Sequence, residues 1–207
     1  YASSRGRPFA RDWHLFAVHP DGGWPTPLEL GPAVAIAWGP AEAVVLGRDR
    51  TDLTLWRGYR GGRRGHLWVQ RTTDAPFEVI EHAHGLATPC FVGDRLLAVG
   101  DPDLVPQLIE ILADGTQVLS DHPASHPVRD VRPCTDGVLY VAGPDVYRWS
   151  ESHGVRPVPV QLRSSRPQLS RHFIHATAYL ESVDAHNDGA RCVVAVRGKP
   201  LVMGWFE

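Results

Sequence analysis

Lysine is almost missing from this chain: Lys199 stands alone, so arginine carries nearly all of the positive charge. With its plentiful Ala, Gly and Pro, that usage points to a GC-rich bacterial coding sequence and says little about function. Cysteine is scarce as well. Cys90, Cys134 and Cys192 are odd in number, far apart and without a C-x-x-C pair. That excludes a disulfide framework or a zinc knuckle and favours buried free thiols in a reducing compartment. No apolar run approaches the roughly 20 residues that span a bilayer. No charged-then-apolar leader opens the chain, so neither a membrane partner nor a signal peptide is expected, and the expected location is cytoplasmic. The chain opens at Tyr1 in mid-pattern, and an upstream portion is expected to precede it.

Excess charge is lacking too. The formal net charge is -2, which argues against a nucleic-acid partner held by bulk electrostatics. Charge is nevertheless uneven: residues 53–73 carry five arginines and no acid, and residues 155–175 carry four more. No G-x-S-x-G elbow occurs, and the serines fall in turns, linkers or ordinary strands, so no catalytic residue is expected in this chain. No segment keeps the 3.6-residue apolar period of a long amphipathic helix.

What remains is a repeat of short strands divided by Asp-Gly and Gly-Asp turns, so the chain reads as all-β. Second strands are expected at 43–46, 96–99, 138–141 and 193–196. Third strands follow at Leu15-Phe16, Leu67-Trp68, Leu108-Ile109, Val146-Tyr147 and Leu201-Val202. First strands precede the turns at 33–38, 88–92, 128–133 and 179–184, and outer fourth strands lie at 26–30, 77–80, 116–119 and 156–160. Four antiparallel strands recurring near every 45 residues are the pattern of β-propeller blades. A β-sandwich also uses short strands but does not require the same four-strand order to recur.

The connection between second and third strands is long in one unit only. It contains W-R-G-Y-R-G-G-R-R-G-H-L-W from Trp56 to Trp68, four arginines and four glycines between aromatic brackets. Arg57, Arg60, Arg63 and Arg64 could hold a peptide carboxylate or another subunit through charge-assisted bonds. Equally, the insertion could be structural, packing Trp56, Tyr59 and Trp68 against a neighbouring blade. His82, His84, His122 and His126 have spacings a metal could use, but no carboxylate or cysteine set stands beside them. No metal and no cofactor is expected, and these histidines are expected at solvent-exposed turns. Asp101-Pro102-Asp103 reads as a turn and not a calcium loop.

The ordered series of motifs resembles the tricorn proteases. The similar elements are L-F-A-V-H-P-D-G at 15–22, L-E-L-G-P-A at 28–33, the arginine-rich run at 56–68 and V-G-D-R-L at 92–96. L-A-D-G-T, T-D-G-V-L-Y and D-V-Y-R-W follow, and D-G-A-R-C-V-V-A-V-R-G-K at 188–199 closes the series. Pro102 to Pro106 departs from a glycine-containing turn, and Arg63-Arg64 thickens the cationic loop.

By that resemblance, residues 1–160 are later blades of a TolB-like six-bladed β-propeller, 161–175 a linker, and 176–207 the truncated first blade of a second, seven-bladed propeller. It implies a non-catalytic portion of a self-compartmentalising serine peptidase that gates or guides peptides and supports assembly. Its partners would be the rest of the parent chain, other subunits in a homo-oligomer, and peptide substrates or products. The family's carboxylate-holding arginine pair falls before this chain begins, so Arg63-Arg64 is not its equivalent. The alternative is a stand-alone TolB-like propeller that binds a protein partner. Exposed strand edges and a bare blade face would favour association in either case.

Overall fold

The structure is a computed structural model, and it describes residues 1–49, 53–55, 57–161, 163 and 175–204. It is built of antiparallel sheets, and the chain divides into two compact units, Tyr1–Gln161 and Leu162–Glu207. Most of the 161–175 stretch expected as a linker lies outside the described residues, as does Trp56. Among the described residues no helix is long and apolar enough to cross a membrane.

The first unit holds four sheets in chain order. Three strands, β1 (Ala2–Ser3), β2 (His14–Ala17) and β3 (Thr26–Pro32), form the first. The second has the order β4 (Ala35–Trp38), β5 (Val44–Arg48), β6 (His66–Gln70), β7 (Glu78–Val79). The third comprises β8 (Leu86–Val92), β9 (Arg95–Gly100), β10 (Gln107–Leu112) and β11 (Gly115–Val118), each paired to the next. The fourth repeats the arrangement with β12 (Val128–Cys134), β13 (Gly137–Ala142), β14 (Asp145–Ser150) and β15 (Gly154–Val158). The expected quartets are therefore present, in the expected places.

The period-2 alternation of the strands explains how the sheets stack. On β5, Val44 and Leu46 join Leu15 and Ala33 in one apolar cluster, whereas Val45 joins Leu67, Leu86, Ala98 and Ile109 in the next. On β9, Ala98 faces back into that second cluster, while Leu97 and Val99 meet Val131, Val138, Tyr140 and Trp149 in a third. Both faces of these strands are buried, which is why they read as continuous hydrophobic runs. On β13 the two faces differ: Val138, Tyr140 and Ala142 are buried, but Leu139 is exposed and Val141 half-buried.

The first strands of the third and fourth sheets carry a bulge at matching positions. Pairing shifts between Ala87 and Cys90 on β8 and between Arg129 and Arg132 on β12. Each bulge holds a non-glycine residue at positive φ, Thr88 at 47° and Asp130 at 54°. A bulge adds a residue to one strand and increases the local twist, so its recurrence keeps successive sheets splayed alike.

The second unit contains a 3-10 turn (Ala176–Ala178) and a sheet of β16 (Leu180–Ala185), β17 (Arg191–Val196) and β18 (Lys199–Gly204). Cys192 is buried here, but Leu180, Val183, Leu201, Val202 and Met203 are exposed.

Candidate functional site

The long connection between β5 and β6 begins at Asp49 and returns at Gly65, and it is fastened to the third sheet at three points. Leu53, 5% exposed, inserts into the cluster between the third and fourth sheets. The Gly65 carbonyl accepts a bond from the Leu86 amide at 2.9 Å. The strongest fastening is Asp101, which follows β9 and is fully buried. Its Oδ2 accepts the Gly58 amide at 3.2 Å and Arg60 Nη1 at 3.1 Å, and its Oδ1 accepts the Gly85 amide at 3.0 Å. A buried carboxylate is tolerable only where donors replace its lost water, and here two backbone amides and a guanidinium do so.

Gly58 fits this clasp because its φ is +68° and any Cβ would lie 2.7 Å from the Leu104 side chain. A side chain there would strain the backbone and displace Leu104 together.

Two of the four arginines are tied to different partners. Arg60 is committed to Asp101, with further donation to the Tyr59 carbonyl at 3.2 Å. Arg64 bonds His66 Nε2 at 3.2 Å and the Ala83 carbonyl at 3.4 Å, so it ties the loop to the segment before β8. Arg57 and Arg63 are exposed. Tyr59 folds over Gly61 within the loop, and the Trp68 ring lies beneath the Arg48 guanidinium at 4.5 Å.

The histidines correct the expectation of solvent-exposed turns. His84 and His122 are buried, at 8% and 9% exposure, and His82 and His126 are half-buried. The reason is that the connections between sheets find internal partners. Gln107 on β10 donates to the His122 carbonyl at 2.7 Å and accepts its amide at 3.0 Å, and His122 Nε2 meets the Tyr140 hydroxyl at 3.0 Å. With its backbone satisfied from inside, that turn can be buried.

His82 and His84 pack edge to face with centroids 3.8 Å apart, and His84 Nε2 has no hydrogen-bond partner among the described residues. Burial first, then the neighbouring His82, brings the His84 pKa down to about 4. Burial likewise lowers those of His82 and His122. These rings are therefore neutral at pH 7 and add no charge to the arginine loop.

Among the described residues no group of three or more His, Cys, Asp or Glu could hold a metal ion. Asp101-Pro102-Asp103 is a turn, as expected, but its first residue is the buried clasp of the loop. A short Asp-Pro turn gives no sequence signal of such a role. Cys90 is buried and Cys134 half-buried, and burial raises the Cys90 thiol to about 12, so it is no nucleophile at neutral pH.

No family profile matches the chain. Tricorn protease homolog 1 of Streptomyces coelicolor is 28% identical over 194 residues, 91% of this chain and 18% of that protein. The tricorn protease of Thermoplasma acidophilum is 30% identical over 147 residues, 67% of this chain and 14% of that protein. A crystal structure of the tricorn protease superposes with a TM-score of 0.75 at 24% identity, covering 98% of this chain and 20% of that one. The structural likeness speaks for the fold, and the chain spans less than a fifth of the length of these two curated relatives.

Proposed function

Because the chain belongs to the tricorn protease family, we propose that it is a propeller portion of a tricorn-like, self-compartmentalising serine peptidase. In this reading it guides or gates peptides and supports assembly, and it supplies no bond-breaking residue. The observation that carries the reading is the recurrence of one four-strand order, with similarity to tricorn proteases running through 91% of the chain.

Residues 1–160 then serve as later blades of a six-bladed TolB-like propeller, and 176–207 open a seven-bladed one. Within the β5–β6 loop, Arg60 and Arg64 hold the shape, and Arg57 and Arg63 meet a peptide carboxylate or a neighbouring subunit. Its partners are the remainder of the parent chain and further copies in a homo-oligomer, in the cytoplasm.

Two measurements test this. Antiserum raised against the chain should detect a native polypeptide on the order of a thousand residues, since 194 residues are 18% of the Streptomyces relative. A native band near 22.8 kDa would overturn the reading and favour a stand-alone binding module. The isolated chain should leave peptides uncleaved, and turnover abolished by serine-directed inhibitors would count against it.

A further inference from the structure

The fourth sheet sets two arginines opposite each other on neighbouring strands. On β14 and β15 the registered pairs are Arg148 with Arg156 and Ser150 with Gly154. Directly opposed residues share a sheet face with Cβ atoms about 5 Å apart, and like charges so placed repel. The two small residues form a floor beside the arginines, because a Cβ on Gly154, at φ +63°, would meet no atom within 4 Å. His153, in the turn joining the strands, completes a hollow of about 140 Å³ lined by Arg148, Ser150, His153, Gly154 and Arg156.

We propose that this hollow is a carboxylate-binding site. Arg148 is already paired with Asp136, whereas Arg156 has no ion pair among the described residues and is exposed. Glu151, in the turn joining the two strands, is paired with Arg95 at 3.1 Å. Two guanidiniums against one aspartate leave a single positive charge, which matches a monoanion better than a dianionic phosphate. Planar guanidinium forks suit the two coplanar oxygens of a carboxylate. The Ser152 hydroxyl lies 2.7 Å from His153 Nδ1, which holds in place a ring that lines the hollow. A bound carboxylate relieves the repulsion between the arginines, so the strand register itself favours its uptake.

The test follows the arginine Nε–Hε signals of the 207-residue chain by NMR at constant ionic strength. Four probes are used: sodium acetate, acetyl-Gly-Asp-Gly-amide, acetyl-Gly-Asn-Gly with a free C-terminus, and inorganic phosphate. At least one carboxylate probe should give saturable shifts at Arg156 and Arg148. Arg156→Gln should weaken it at least tenfold, with the backbone spectrum unchanged away from β14 and β15, and Arg132→Gln should change it less than twofold. Preference for the aspartyl tripeptide assigns the site to an acidic protein segment, preference for the asparaginyl one to a peptide end, and equal response to a free carboxylate. Non-saturating shifts shared with exposed arginines such as Arg5 and Arg7, an unchanged response in Arg156→Gln, or tenfold tighter phosphate binding would each overturn the proposal.

Discussion

Arg60 and Asp101 stand 41 residues apart in the chain and meet at 3.1 Å, the aspartate side chain 1% exposed and the arginine 36%. The pair joins the insertion of one sheet to the end of a strand in the next. Arg60 thus serves the loop's own structure before it can serve any ligand.

Asp101→Asn removes the charge but keeps the shape. Breaking a fully buried ion pair costs about 3–5 kcal/mol, and the partial exposure of Arg60 reduces that to about 2–3 kcal/mol here. Urea unfolding should show the loss, and hydrogen exchange should accelerate at the Gly58 and Gly85 amides. Unchanged exchange at both would refute the clasp.

Arg95 is a second fastener, between the third and fourth sheets. It forms a two-pronged pair with Glu110, Nε to Oε1 at 2.8 Å and Nη2 to Oε2 at 2.6 Å, and its guanidinium lies 4.9 Å over the Trp149 ring. Arg95→Lys keeps the charge but loses the fork and its planar stacking, so about 1–2 kcal/mol should go, against about 2–3 kcal/mol for Arg95→Ala. Equal urea midpoints for the lysine variant and the unsubstituted chain would show that geometry is immaterial there.

Acid should loosen the fold through His84. Its folded pKa of about 4 lies below the ordinary value of 6.5, so between these values the unfolded chain binds more protons and stability falls as pH drops. The groups that bear on its charge are His82, Asp101, Arg60 and Asp103. His84→Leu removes both the titration and an unpartnered buried nitrogen. Melting temperatures from pH 7 to pH 4 should fall less for this variant, and parallel curves would exclude His84 as the source.

Thr88 occupies positive φ with a branched Cβ, and its hydroxyl is buried without a partner among the described residues. Such strain costs about 1–3 kcal/mol, more than the 0.5–1 kcal/mol entropic penalty of glycine. Thr88→Gly should therefore stabilise the chain by about 1 kcal/mol in urea, and destabilisation would show that the threonine methyl packs usefully.

The strand quartets were legible because their signals are local. Val44 to Leu46 and Leu96 to Val99 announce buried strands by composition, and Gly93-Asp94 announces a hairpin through a glycine at φ 58°. The arginine loop was visible as a long insertion, but the division of labour within it was not. Arg60 and Arg64 look alike in sequence, yet one meets Asp101 and the other a carbonyl before β8. Their partners come from distant residues, and spacing along the chain carries no record of them.

The sequence by itself determined which segments extend, where they turn and in what order they pair, because side-chain alternation and turn chemistry act over a few residues. Only the tertiary structure decided that His84 and His122 would be buried, that Asp101 would clasp Gly58, Gly85 and Arg60, and that Arg148 would face Arg156. Those outcomes depend on register and on the stacking of one sheet upon the next. Both are set by the packing of whole apolar faces.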